Sequence, residues 1–592
     1  MESLKLLYQQ KVDDYSSQLQ HIQQRVNFVA ILRLACFAAL AISIYYCTKD
    51  FQYFYLLTTF SLVIIFVFLV RIYFNLKDKK QLIAKLLFIN QNESAIIKGE
   101  SNQFDNGKDF ESHESYFDDL DIFGQSSLYH VLNRTTTSHG ASKLSNILKN
   151  PILQAEKIIH QQDAIKILAA ELDKRQLLAA HGLINQEKQG NLYGILDWLK
   201  IPAKVNKNKF LLIIRWVLPL YNIASILYYL QTDNYFPLAI GVIASWMTIG
   251  SFAKYVNHQH ALIGEKQKIL NQYADILKIF SSIDSQQSVL LKDLKNTSLQ
   301  AHQTIKQLSQ LTSWFDQRLN MVVNILLNSF VVYDLQCTIA LENWKEKNSK
   351  DFEKYIDCVG NIESLCSLAN FAHNHPSYSY PVISKDLFLI EAKQTAHPLI
   401  PENESVPNDF SIGKENKLHL LTGSNMSGKT TFLRTVGINL LLAECGAPVC
   451  ASSFSFMPMN ILSSIRVSDS LQEHTSYFMA ELKRLQQIIL QLQNGKPALV
   501  LVDEILRGTN SEDKTFGSEE FVKKLLQYNC LSLFATHDLA LSKLENEFLG
   551  KVSNYCFESI IQNGELLFDY KLQTGVAKNR NASFLMKKMQ II

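Results

Sequence analysis

The run Gly423-Ser424-Asn425-Met426-Ser427-Gly428-Lys429-Thr430 fits the phosphate-loop pattern G-x-x-x-x-G-K-[ST]. Each residue type has a task at that spacing. The two glycines let backbone N–H groups turn inward around phosphate oxygens, where a Cβ would intrude. Lys429 offers a point charge to β- and γ-phosphates, and the Thr430 hydroxyl can ligate Mg²⁺. Thr431 follows directly and is grouped with the loop as nucleotide-binding. Two later pairs fit the same chemistry. Asp503 would hold Mg²⁺, directly or through water, and Glu504 would act on the attacking water as general base or orienter. Thr536-His537 ends another apolar run, where a histidine facing a γ-phosphate can sense whether it is there. A lone histidine is more often structural, and it is the strand-end position that gives His537 its functional reading. The expected chemistry is ATP hydrolysis with Mg²⁺, with Lys429, Glu504 and His537 as catalytic groups.

The elements that must position these groups are legible as well. Leu418–Leu421 is a short apolar run that reads as a strand, and the residues after Lys429 read as a helix whose N-terminus favours an anion. Ala498–Val502 and Cys530–Ala535 are unbroken apolar runs, as buried parallel strands should be. From about Leu387 short apolar runs alternate with helical patterns, the α/β signature.

The 592-residue chain is long enough for several domains, and its net charge of +3 gives no global polyanion-binding signal. Its nine cysteines are scattered without a C-x-x-C pair, which reads as reduced thiols. Mean hydropathy is close to zero despite 58 Lys and Arg and 55 Asp and Glu, so strongly apolar stretches must offset the charges.

Those stretches come in pairs. Residues 1–85 read as an amphipathic helix followed by a transmembrane hairpin, with spans at about 28–47 and 51–70, since a span needs about 20 apolar residues. The alternative, a buried soluble helix pair, fits less well because Phe51–Val70 has no polar face. Residues 86–126, rich in Asn, Ser, Asp and Glu, read as a flexible polar linker. Residues 127–209 read as helices, and 210–253 as a second hairpin interrupted by Pro219, Asn222 and Pro237. Residues 254–385 read as long helices. One stripe runs through Leu262, Ile269, Tyr273, Ile276, Leu277 and Ile279, and another through Leu308, Leu311, Phe315, Leu319 and Val322. On periodicity alone these are equally levers or a static coiled-coil spacer. Residues 386–592 complete the chain as the ATPase region. Arg25, Arg71, Lys77, Lys79 and Lys80, like Lys204, Lys207, Lys209 and Lys254, flank the hairpins on the side of their open ends. The positive-inside rule therefore places the catalytic region in the cytoplasm, and the expected location is a bacterial-type inner membrane, crossed several times.

The segments TGSNMSGKTTFLRTVG, SYFMAEL, LVLVDEILRGTN and LFATHD together resemble the ATPase domain of the MutS family of DNA mismatch-repair proteins. SLYHVLNRTTTSHGASKLSNILKNPI, IESLCSLANFA, AHPLI and YKLQTGVAKNRNASFLMKKM are similar to the family's core, lever ends, ATPase entry and closing helix. The resemblance implies a C-terminal α/β ABC-type P-loop ATPase domain and an all-α lever and core domain before it, to which the apolar runs add the two transmembrane helical hairpins. It implies a homodimer in which Ser476 contacts the γ-phosphate held by the other subunit. It also implies DNA as partner, with ATP moving the levers; the four expected spans add membrane lipid as a partner. It does not extend to a mismatch-recognition domain, in whose place the first hairpin stands. The family's adenine-stacking aromatic falls near Ser405. The expected function is a membrane-tethered, DNA-binding MutS-type ATPase. The alternative is a membrane mechanochemical or transport-like ATPase that does not bind DNA.

Overall fold

A computed structural model describes residues 2–49, 53–112, 116–184, 191–385, 388–466, 477–506, 508–562, 565–578 and 590. The chain is helical as far as Asn374 and α/β beyond it. Two long helices, α1 (Glu2–Lys49) and α2 (Tyr53–Ile97), pair along their length. Short helices α3 (Tyr116–Asp119), α4 (Leu128–Leu132) and α5 (Ser138–Lys149) lead into α6 (Ala155–Ala170), α7 (Leu172–Ile184) and α8 (Asn191–Lys200). A second apolar pair follows, α9 (Lys209–Thr232) and α10 (Phe236–Ile263), then α11 (Gln267–Ser281), α12 (Val289–Asp316), α13 (Met321–Val331) and α14 (Tyr333–Asn374). Side-chain caps start several of them: Thr137 accepts from Gly140 N, Asn208 from Phe210 N and Leu211 N, and Ser288 from Leu291 N. Among the described residues, α1, α2, α9 and α10 are long and apolar enough to cross a membrane.

The stretch expected to be a flexible linker is instead packed structure. Helix α2 continues to Ile97 and buries Asn90, Asn92, Glu93 and Ser94. Glu93 accepts from Arg134 Nε and Nη2, from Asn370 Nδ2 at 3.0 Å and from Asn374 Nδ2 at 2.8 Å. Its polar composition reflects buried partners far along the chain rather than exposure to water. The helix reading of 1–26 needs extension, because α1 runs without a break from Glu2 into the apolar segment. The second stripe of the long helices is also interrupted. Leu308 and Phe315 are buried, but Leu319 and Val322 are exposed, because Asn320 caps a new helix, α13, between them.

The α/β part holds two sheets. A four-stranded sheet has the order β1-β5-β2-β3, formed by β1 (Val382–Ile383), β2 (Leu389–Thr395), β3 (Asn408–Gly413) and β5 (Ser453–Phe456). The six-stranded sheet has the order β10-β9-β4-β8-β7-β6. Its strands are β4 (Leu418–Gly423), β6 (Asn460–Ser464), β7 (Ala498–Asp503), β8 (Cys530–Thr536), β9 (Val552–Gln562) and β10 (Glu565–Thr574), all parallel to their neighbours except β10. Helices α15 (Lys429–Glu444), α16 (Tyr477–Leu492), α17 (Ser511–Leu525) and α18 (Leu544–Glu547) complete it.

Central strands are apolar on both faces because both are covered. Leu421, Leu501 and Leu533 join a core that continues into the helical block through Leu120, Tyr129 and Phe371. Leu420, Val500 and Phe534 point the other way, to a core with Leu485, Ile488 and Val522. The sheet and the helical block therefore share buried side chains.

Candidate nucleotide site

The parallel strands end at one level, so that Thr422 lies beside Thr536 and Asp503 beside Ala535. In open α/β sheets that edge is where ligands bind. Gly423 closes β4 with φ 153°, and Gly428 opens α15 with φ 105°. A Cβ on Gly423 would lie 2.7 Å from Ser427 Oγ and 2.8 Å from the Phe557 carbonyl oxygen, and one on Gly428 would lie 3.1 Å from Tyr570 Cδ1. Only glycine fits both positions. Met426 sits between them in the left-handed region, φ 67°, and is 84 % exposed.

Lys429 is buried at the first turn of α15, and its Nζ donates to the carbonyl oxygens of Gly423 at 2.7 Å and Ser424 at 2.9 Å. Thr430 Oγ1 donates to Asp503 Oδ2 at 2.6 Å. A hydroxyl and a carboxylate so placed are hard oxygen donors, the class Mg²⁺ selects, and the set leaves positions for phosphate and water oxygens. Thr431 is exposed at the same turn.

Glu504 follows on a strained backbone, φ 51°, with Leu506 also left-handed at 60°. Such conformations concentrate at functional sites. Its N–H donates to the Ala535 carbonyl at 2.9 Å, its Oε1 accepts from Lys514 Nζ at 2.5 Å, and its Oε2 lies 4.0 Å from His537 Nε2. Burial, then the Lys429 charge, lowers the His537 imidazole below its ordinary range, although Glu504 and Asp503 pull it upward. His537 is therefore uncharged near neutral pH.

The loop, Asp503, Glu504 and His537 all line one cavity of about 600 Å³. The structure thus brings together Gly423 to Thr430, Asp503, Glu504 and His537 from three strand ends. Ser476 and Arg507 lie outside the described residues.

Sequence reasoning missed several groups. Tyr570 lines the cavity from β10, and Asn408 Nδ2 donates to its carbonyl at 2.9 Å. It brings an aromatic side chain to a cavity that Ser405 and Val406 also line. Nothing in the linear sequence ties Tyr570 to the loop, because the β9–β10 hairpin makes the connection. Lys514, on α17, carries no pattern that marks it either. A third set lies behind α15. Asp119 accepts from Ser463 Oγ at 2.6 Å, Ile465 N at 3.2 Å and Arg466 N at 2.6 Å, while Asp121 pairs with Arg434 of α15 at 2.9 Å and with Arg466 at 2.5 Å. The segment after the first helix pair is thereby tied to the helix that carries Lys429.

A model of MutS domain V matches residues 419–589, which covers the loop, both strand-end pairs and Tyr570. The carboxy-terminal part of the chain is thus similar to MutS domain V. It is 32 % identical over 246 residues to the DNA mismatch repair protein MutS of Clostridium botulinum (strain Loch Maree / Type A3), a match that covers 40 % of this chain and 26 % of that protein. It is 31 % identical over 238 residues to the DNA mismatch repair protein MutS of Thermotoga maritima, covering 39 % of this chain and 29 % of that protein. The matched part thus spans between a quarter and a third of these relatives' length. The matched residues fall in the α/β region that follows the helical amino-terminal region, which fits a MutS domain V.

Proposed function

We propose that this chain is a MutS-family ATPase anchored in a membrane by α1–α2 and α9–α10, and that its nucleotide state moves α12 and α14 as levers. One observation carries the proposal: Thr430 and Asp503 touch at 2.6 Å beside the Glu504 and His537 side chains in a single cavity. In this reading the loop N–H groups and Lys429 bind the phosphates, and Thr430 and Asp503 hold Mg²⁺, which would neutralise phosphate charge. Glu504 orients the attacking water and takes up its proton. Neutral His537 faces the γ-phosphate from the neighbouring strand. Tyr570 offers a stacking face to the base. Ser476 of a second copy would complete the site, making hydrolysis dependent on a homodimer.

DNA is the ligand that the relatives' printed names suggest. A second reading, a mechanochemical ATPase acting without DNA, draws on the apolar α9–α10 pair packed against the start of α14. Nucleic acid binding calls for a basic surface there instead.

The test is phosphate release by the detergent-solubilised protein with homoduplex, mismatched, branched or no DNA. Hydrolysis that vanishes in Glu504→Gln supports the ATPase, and stimulation by one DNA form selects the first reading. Protein that neither retains ATP nor pairs in its presence would sink both.

A further inference from the structure

Between the two long helices α12 and α14 lies α13, whose sequence MVVNILLNSFV carries no charge. Met321, Val322, Ile325 and Leu326 share one face of it and are exposed, Met321 to 75 %. The opposite face is polar and satisfied. Asn222, buried in the middle of α9, donates to the carbonyls of Ser329 at 3.0 Å and Phe330 at 3.2 Å. These belong to the last turn of α13, where carbonyls lack helical partners. Trp246 Nε1 of α10 donates to Ser329 Oγ at 3.0 Å, and Asn328 Oδ1 accepts from Asp334 N at 2.9 Å.

The chain then turns by 84° at Val332, a buried β-branched residue with φ 51°, and enters α14. The charges beside this turn are paired, Asp334 lying two residues past Val332. Arg318 is neutralised by Asp334 at 3.1 Å and bonds Asn257 at 2.8 Å. Asn257 lies about 18 Å along α10 from Ser245, at 1.5 Å per residue. Ser245 bonds Asn222, so the tip of α13 reaches the middle of the α9–α10 pair. An apolar outer face, inward polar groups and carbonyls capped by a buried amide are what broken backbone needs at membrane depth.

We infer that α13 is a re-entrant helix whose outer face lies among lipid acyl chains. Its exposed face continues the apolar surface of α9 and α10, which includes Phe210, Ile213, Leu220 and Ile243. The tip shared by α12 and α14 is then seated in the bilayer itself. This rests on the membrane reading above.

Spin labels test it in the full chain, with Cys47→Ser and Cys450→Ser, reconstituted in phosphatidylethanolamine–phosphatidylglycerol vesicles. Labels go at Met321→Cys and Ile325→Cys on α13, at Leu220→Cys on α9 and at Lys347→Cys on the exposed side of α14. Oxygen reports lipid exposure, and a water-soluble nickel chelate reports water. The expected result is an oxygen-to-nickel ratio at both α13 sites equal to that at Leu220 and severalfold above that at Lys347. Nickel access at α13 with lipid exposure at Leu220 overturns the inference and leaves the membrane reading standing. Protection of α13 from both reagents overturns it in favour of a protein partner. Nickel access at Leu220 overturns the membrane reading and the inference together.

Discussion

Lys514 Nζ stands 2.5 Å from Glu504 Oε1, while the other oxygen of the same carboxylate faces His537 at 4.0 Å. The group that must handle the attacking water is thus held between a cation and a neutral imidazole. Lys514 is a positioning residue in this arrangement. Lys514→Met is expected to lower kcat by roughly tenfold, the equivalent of one charge-assisted hydrogen bond of about 1.5 kcal/mol. KM for ATP should stay nearly constant. Steady-state phosphate release measures both, and an unchanged kcat would remove Lys514 from the site.

Glu504→Gln keeps the shape of the side chain and removes its basicity. Hydrolysis should fall by about 10²- to 10⁴-fold, the usual contribution of a general base. Nucleotide retention should survive. Lys429→Ala should do the reverse, losing retention first, because Lys429 is buried with its charge on the Gly423 and Ser424 carbonyls of the loop. Filter retention of labelled ATP beside phosphate release separates the two variants.

The pH profile should carry the mark of His537. Its folded form favours the neutral ring, so protonation is resisted as pH falls from the ordinary imidazole value of about 6.5 through the lowered one. Above that window the ring is neutral and activity is full. As pH falls through the lowered value a second cation forms beside Lys429, and kcat should drop. His537→Asn should flatten this acid limb while lowering the plateau. An acid limb identical in the variant would assign it to another group.

Glu93 and Arg134 make a buried ion pair with exposed surface on neither side chain above 8 %. Burial pushes the Glu93 carboxyl upward, but the Arg134 charge and the donated hydrogen bonds outweigh it and hold it below its ordinary value. A lowered carboxylate pKa stabilises the fold above the unfolded value of about 4.3 and stops doing so as pH falls through the folded one. Arg134→Met should therefore cost about 3–5 kcal/mol, because it strands a buried charge. Arg134→Met with Glu93→Met should cost less than Arg134→Met alone. Thermal unfolding in detergent distinguishes these outcomes.

What was legible in the sequence and what was not divides along one physical line. Strands β4, β7 and β8 announce themselves because they are buried on both faces, and their chemistry sits at their ends. Gly423 and Lys429 could be placed from the phosphate-loop spacing, and Asp503, Glu504 and His537 from the ends of such runs. Residues 86–126 could not, because Glu93, Asp119 and Asp121 are polar for the sake of partners such as Arg134, Ser463 and Arg434. A linear pattern cannot tell a carboxylate that meets water from one that meets a distant arginine. The break at Asn320 was hidden for a related reason: the apolar stripe continues across it, but what the residues face changes. Tyr570 was missed because only tertiary structure brings β10 to the loop.

The unbroken α1 has a geometrical consequence. Its 48 residues extend about 72 Å, against about 30 Å of hydrocarbon in a bilayer. Its amino-terminal end is pinned by Tyr8, whose hydroxyl donates to Asn374 at 2.7 Å, and by Lys11, 2.5 Å from Asp173. In the membrane-anchored reading proposed above, this rod would hold the candidate nucleotide cavity at one height above the lipid headgroups. Two copies would then search for each other sideways in a plane, already level and upright. Their encounter would depend on the number of copies per area of that plane rather than on concentration in a volume.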